Sequence, residues 1–152
     1  MASILLLHGP NLDLLGRREP SIYGSATLDD YVDAVRDVAG RHGRSVEHLQ
    51  SNHEGVLVEA IHAARGTHEA IIINAGALTH YSWSIHDALG AYDGRIIEVH
   101  ISNPHARETF RHVSVVAPKA HCTIAGLGLH GYRIAARVAS IDPAPSSTVQ
   151  RI

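Results

Sequence analysis

Uninterrupted apolar runs alternate along this chain with stretches whose apolar residues recur every three or four positions. The first pattern marks strands buried on both faces, and the second marks amphipathic helices. Residues 4–7 form the first such run, closed by Gly9 and Pro10. Thr27 and Asp30 then stand at capping-box spacing, and Leu28, Tyr31, Val32, Val35, Val38 and Ala39 share one helical face up to the stop at Gly43. Residues 46–49 predict a second strand, and Leu57, Ala60, Ile61 and Ala64 the stripe of a second helix ending before Gly66. A third strand follows at 70–73, and Ile85, Ala88, Leu89 and Tyr92 mark a third helix. A fourth strand covers 96–101 and a short helix 105–111, while 113–116 has no clear assignment. Residues 120–125 predict a fifth strand and 129–141 a final helix, and Pro143, Pro145, Ser146 and Ser147 mark a loose tail from about 142.

Strand–helix alternation of this kind predicts an α/β fold, a parallel sheet covered by helices on both faces. Five strands within 152 residues suit a flavodoxin-like, doubly wound sandwich with strand order 2-1-3-4-5. That length fits a single domain, residues 1–152, around one core.

A content of 45% hydrophobic and 18% charged residues belongs to a globular chain. The formal charge of −2 and pI near 6.7 leave no basic footprint, which argues against a nucleic-acid partner. No apolar run approaches the ~18 residues of a membrane span, and the N-terminus lacks the basic start of a secretion signal. The single cysteine, Cys122, fits a reducing cytoplasm and, between apolar neighbours, a packing role. The 13 histidines invite a metal reading, but the spacings oppose it. His53-Glu54 opens like H-E-x-x-H, yet position 57 is Leu57. Most of the histidines are therefore expected to be solvated surface groups.

In such sheets ligands bind beyond the carboxyl ends of the strands, where strand order reverses. Polar groups stand at these ends: Asn11 after strand one, Ser51-Asn52 after strand two, Asn74 after strand three, and Glu98, His100 and Ser102 at strand four. Glu98 and His100, two apart, share a strand face, so the carboxylate can orient the imidazole and favour its protonated form. The pair is a general acid or a satisfied polar pair at a sheet edge. The segment LGRREPSIYGS, 15–25, has no period but carries Arg18 and Tyr23 between Gly16 and Gly24. A phenol of pKa ~10 is about one part in a thousand ionised at neutral pH, and a nearby guanidinium raises that fraction. The segment is a mobile lid carrying a base, or a solvent-facing loop. Arg107 and Arg111, at i and i+4, are substrate-gripping donors or a solvated basic face. Gly126-Leu-Gly128-Leu-His-Gly131 matches G-x-G-x-x-G, but it follows the last strand and the chain lacks the acidic ribose ligand. These glycines are expected to serve close strand–helix packing.

Four blocks, HGPNLDLLGRREPSIYG at 8–24, INAGALTHYSWSIHDAL at 73–89, EVHISNPHARETFRH at 98–112 and GLGLHGY at 126–132, resemble the type II 3-dehydroquinate dehydratases over roughly positions 4–140. The resemblance implies a hydro-lyase of the shikimate or quinate pathway, converting 3-dehydroquinate to 3-dehydroshikimate by anti elimination through an enolate, without metal or cofactor. It implies that Tyr23 is the base, that Arg18 favours its phenolate form, and that Asn11 stabilises the enolate. His100 becomes the acid that protonates the departing hydroxyl, oriented by Glu98. Asn74, the Ile101 backbone and Ser102 are implied to hold the substrate carboxylate. His80, Arg111 and Asp87 of a neighbouring subunit are implied to meet ring hydroxyls, with Arg107 ordering the lid. A homododecamer, four trimers, is the implied assembly. Asp13, Trp83 and His86 depart from the family pattern, the last two on the segment expected to meet the neighbouring subunit. Two other classes fit the composition: a small-molecule or nucleotide-binding module without catalysis on the same fold, and a histidine-rich metal hydrolase. The filled catalytic positions favour the dehydratase.

Overall fold

The computed structural model describes residues 3–142. Five parallel strands, β1 (Ser3–His8), β2 (Ser45–Gln50), β3 (Ala70–Asn74), β4 (Arg95–His100) and β5 (Cys122–Ala125), lie in the order β2-β1-β3-β4-β5. The expected flavodoxin-like order is therefore the one found. The helices are α1 (Pro20–Tyr23), α2 (Leu28–Arg41), α3 (Glu54–Ala64), α4 (Trp83–Gly90) and α5 (Leu129–Ser140).

The period of two along each strand splits the apolar residues between two layers. Ile4 and Leu6 of β1, Ile72 of β3 and Val99 of β4 pack with Tyr31, Val35, Tyr132 and Ala136 of α2 and α5. Leu5, Leu7, Ile71 and Ile73 pack on the opposite face with Leu57, Ile61, Ile85 and Leu89 of α3 and α4. Capping holds the helices at their starts. The Thr27 hydroxyl accepts from the Asp30 N–H and the Asp30 carboxylate accepts from the Thr27 N–H, completing the capping box of α2. Ser82 caps α4 and donates to Glu54 Oε1 at 2.6 Å, tying α4 to the start of α3. No helix among the described residues is long and apolar enough to cross a membrane.

The irregular segments differ most from the sequence expectation. The helix expected at 105–111 is a pair of 3-10 turns, Pro104–Ala106 and Thr109–His112, with Arg107 extended between them. Arg107 and Arg111 are thus not an i, i+4 pair on one helix. The patternless 15–25 segment contains one helical turn, α1, started by Pro20. A further 3-10 turn, Gly76–His80, follows β3. Strand β5 begins at Cys122 because Pro118 sits in a 3-10 turn, Ala117–Lys119, just before it. The tail expected beyond 142 lies outside the described residues.

The expectation of solvated histidines is corrected at several positions. His8, His48, His68, His80, His86, His100 and His121 are buried or half-buried. His68 pairs with Glu47, His86 donates to the Val115 carbonyl at 2.6 Å, and His121 accepts from the Ile96 backbone. Their polar nitrogens find partners inside the fold, so burial costs them little. His8 is the extreme case, at 0% exposure within the α2/α5 layer. Burial, with His48 adding to it, pulls its pKa from 6.5 to about 3. An unfolded chain takes up a proton at this residue as pH falls below 6.5, whereas the native chain does not until about 3. Stability at this site is therefore full above pH 6.5 and is lost progressively toward pH 3. Thermal melts of the wild type and His8→Gln should differ by a constant amount above pH 6.5 and converge on acidification. A difference independent of pH would contradict this.

Candidate active site

Strand order reverses between β1 and β3, and a cleft of about 140 Å³ opens at their carboxyl ends. Two loops build its floor. A Cβ on Gly9 would fall 2.2 Å from the Ala75 carbonyl oxygen, so the turns after β1 and β3 pack backbone to backbone and only glycine fits. That contact brings Asn11 to one side of the cleft and Asn74 to the other. Asn11 has a left-handed backbone, φ 67°, which an asparagine tolerates better than most residues. Its N–H donates to Asn52 Oδ1 at 2.9 Å, and Gln50 Nε2 donates to the same oxygen and to the Gly9 carbonyl. The polar end of strand two, which had no chemical role in sequence, thus fixes the backbone that carries Asn11.

Asn74 is buried and held at both ends of its amide. Its Oδ1 accepts from Gly76 N at 3.1 Å, and its Nδ2 donates to the Tyr132 hydroxyl at 2.9 Å. The loop after β5 supports the next piece of wall. Gly126 and Gly128 donate to the Ser102 and Ile101 carbonyls at 3.1 Å each. Close packing does not account for the glycines of this motif: a Cβ on Gly131 would meet Ile124 and Leu127 at an ordinary 3.4 Å and one on Gly128 would meet nothing, whereas Gly126 and Gly128 have positive φ, 83° and 55°.

Glu98 and His100 project from the other face of the sheet. His100 Nε2 donates to Glu98 Oε2 at 2.8 Å, because a carboxylate can only accept. Glu98 also receives Ser114 Oγ at 2.7 Å and Thr123 Oγ1 at 3.1 Å, the latter its register partner on β5. Burial raises the Glu98 pKa, but the bonds from His100, Ser114 and Thr123 outweigh it and hold the carboxyl below its ordinary value. A charged, fully bonded carboxylate therefore fixes the imidazole and leaves Nδ1 of His100 for the cleft. Ser114, in the segment without assignment, is visible only once that segment is folded beside β4.

His80 donates Nδ1–H to the Val113 carbonyl at 2.7 Å. Burial lowers its pKa, aided by Arg111 and His100 and opposed by the Val113 bond and Glu98. Neutral His80 thus offers Nε2 as an acceptor. Arg111 is held by Glu108.

The 15–25 loop is folded over the cleft. Half-buried Tyr23 has the Arg18 guanidinium 4.9 Å and the Arg107 guanidinium 5.2 Å from its ring centre. Arg107 also donates to Ser102 Oγ at 3.1 Å, linking the loop to the end of β4. Cation–π contacts are worth about 0.5–1 kcal/mol each where partly exposed. Glu19, φ 37°, sits in the left-handed region, at a cost of about 1–2 kcal/mol. The two effects nearly cancel.

Asn11, Arg18, Tyr23, Asn74, His80, His100, Ile101, Ser102, Arg107 and Arg111 all line this cleft. Glu98 stands behind His100 and lines an adjoining 540 Å³ cavity. Asp87 lies on the exposed side of α4 and lines neither. Cys122 is half-buried against the α2/α5 layer, with its thiol pKa pushed up by burial, as packing requires. Among the described residues no three histidine, cysteine or carboxylate side chains converge as a metal site needs.

A family model described as Dehydroquinase class II matches residues 2–140. A 3-dehydroquinate dehydratase 1 of Corynebacterium efficiens is 58% identical over 132 residues, 87% of each chain. A catabolic 3-dehydroquinase of Phaeosphaeria nodorum is 51% identical over 148 residues, 97% of each chain. The crystal structure of a type II dehydroquinase from Butyrivibrio crossotus superposes with a TM-score of 0.89 at 42% identity, covering 92% of this chain and 98% of the other. With the family match spanning almost every described residue, this chain belongs to the class II dehydroquinases.

Proposed function

We propose that this chain is a 3-dehydroquinate dehydratase, a hydro-lyase that converts 3-dehydroquinate to 3-dehydroshikimate. The observation that carries the reading is one cleft holding a tyrosine flanked by guanidinium groups opposite a carboxylate-held histidine. The relatives' names include both unqualified and catabolic dehydroquinases, so the same reaction serves either a shikimate or a quinate route.

Tyr23, as phenolate, takes the proton α to the substrate ketone, and the C–H electrons form an enolate. Arg18 and Arg107 hold two positive charges beside the Tyr23 ring. Asn11 stabilises the enolate oxygen. Collapse of the enolate restores the ketone, forms the ring C=C bond and breaks the C–O bond on the opposite face. His100, protonated at Nδ1, gives its proton to that oxygen, which leaves as water, while Glu98 stabilises the imidazolium. Asn74, the Ile101 backbone and Ser102 hold the carboxylate, and His80 and Arg111 hold ring hydroxyls. Arg107 keeps the lid closed through Ser102. The lone Cys122 suits a reducing, cytoplasmic setting.

The assembly belongs to the same reading. Asp87 faces out from its own cleft, and an apolar face with Tyr81 61%, Trp83 63%, Phe110 56% and Val113 58% exposed is available for a neighbour. In the proposed dodecamer of trimers, Asp87 completes the site of the adjoining subunit.

Incubation with 3-dehydroquinate should raise the near-ultraviolet absorbance of a conjugated enone, and an unchanged spectrum at neutral pH would overturn the assignment. Tyr23→Phe should lower kcat by ~10²–10⁴-fold, the usual worth of a general base, while a substrate analogue still binds. Loss of analogue binding as well would make Tyr23 structural. Tyr23→Phe and Asp87→Asn chains, each impaired alone, should regain activity on co-assembly, in on the order of a quarter of the sites. Absence of complementation would place Asp87 outside the neighbour's site.

A further inference from the structure

Asn74 does not stand alone. Its Nδ2 donates to the Tyr132 hydroxyl at 2.9 Å, that hydroxyl lies 3.0 Å from His8 Nε2, and His8 Nδ1 lies 3.0 Å from His48 Nε2. His8 and Tyr132 are both 0% exposed, and Asn74 is 4% exposed. The chain of bonds joins β2, β1, α5 and β3 and ends at the cleft.

Hydrogen-bond bookkeeping fixes its direction. Gly76 N–H needs an acceptor, so Asn74 must turn Oδ1 toward it and Nδ2 toward Tyr132. The Tyr132 oxygen accepts from Asn74, so its single proton goes to His8 Nε2. His8 must then carry its proton on Nδ1 and donate to His48 Nε2. Every polar atom in the buried part is paired in only this arrangement. Asn74 is left with one Nδ2 hydrogen that no group among the described residues takes, on a residue lining the cleft. The stacked rings of His8 and Tyr132, 4° from parallel, hold the chain rigid.

We propose that His8 and Tyr132 are positioning residues for substrate binding: they lock the Asn74 amide with an N–H, not an oxygen, facing the substrate carboxylate. This rests on the reading of Asn74 as a carboxylate-binding group. With Tyr132 no longer accepting, the Gly76 N–H alone orders the amide, which can then turn and present its oxygen, and that repels a carboxylate. The effect therefore falls on binding more than on chemistry.

The test is steady-state kinetics with 3-dehydroquinate on the full-length enzyme. Tyr132→Phe, which preserves volume, should raise KM about tenfold while kcat stays within about threefold. His8→Leu should do the same, and His8→Gln, whose Oε1 can accept the Tyr132 proton, should return KM to within about twofold of wild type. In an Asn74→Ala background, itself raised in KM, Tyr132→Phe should add less than about twofold. Asn74→Ala raised in KM with Tyr132→Phe and His8→Leu both at wild-type values would overturn the positioning role alone. A tenfold rise persisting in the Asn74→Ala background, or kcat falling in step, would reduce the network to fold stability. Asn74→Ala at wild-type KM would remove the carboxylate reading itself, and the positioning role with it.

Discussion

The structure depends on the parallel register of β1 against β3, which sets His8 beside Asn74 at the carboxyl edge. Parallel strands end on the same side of a sheet, so every polar strand end in this chain is delivered to one rim. The reversal of strand order after β1 then separates the following loops and leaves a cleft between them. A one-residue slip of either strand would send its polar end, His8 or Asn74, to the other face and its Leu7 or Ile73 into the α2/α5 layer. The buried bond from Asn74 through Tyr132 to His8 can form only in the register observed. Polar pairing and apolar alternation therefore select the same arrangement, one of the conditions for a single native state.

The loop chemistry is built on a different balance. Arg18 and Arg107 come from separate parts of the chain, and each approaches the ring of Tyr23. Arg107 is anchored to Ser102 at the end of β4, whereas Arg18 pairs with Glu19 on the loop itself. One cation thus belongs to the scaffold and one to the loop, and the phenol ring lies against both.

The sheet was legible in sequence because its strands are uninterrupted apolar runs and its helices carry clean stripes. The site was legible where a residue ends a strand: Asn11, Asn74, Glu98 and His100 all follow from strand position and period. The 3-10 turns were not, because tertiary contacts rather than apolar period shape them; Arg107 reaches the cleft from the extended link between two such turns and Arg111 from the second, not from one helix face. The support beneath the site was hidden for another reason. Asn52 acts through the Asn11 backbone and Ser114 through Glu98, across 41 and 16 positions of sequence. The histidines misled in the same way. Composition suggested a surface property, while Tyr132, the partner that makes His8 a core residue, lies 124 positions away.

Alternation along the strands also explains how opposed chemical demands coexist in so small a cleft. His8 and Asn74 point into the α2/α5 layer, while Glu98 and His100 point to the α3/α4 side, because their strands place them on opposite parities. On the first side each hydrogen bond of the buried chain has one direction, which keeps the chain neutral. On the second side a charged carboxylate sits behind an imidazole, as the proposed acid requires. Were the acid on the same face as the anchor, the Glu98 charge would lie against His8 and favour its protonated form, undoing the neutral chain that orients Asn74. The sheet itself insulates one from the other. What crosses between them is the 15–25 loop, whose tyrosine belongs to neither face and lines the same cleft as Asn74 and His100.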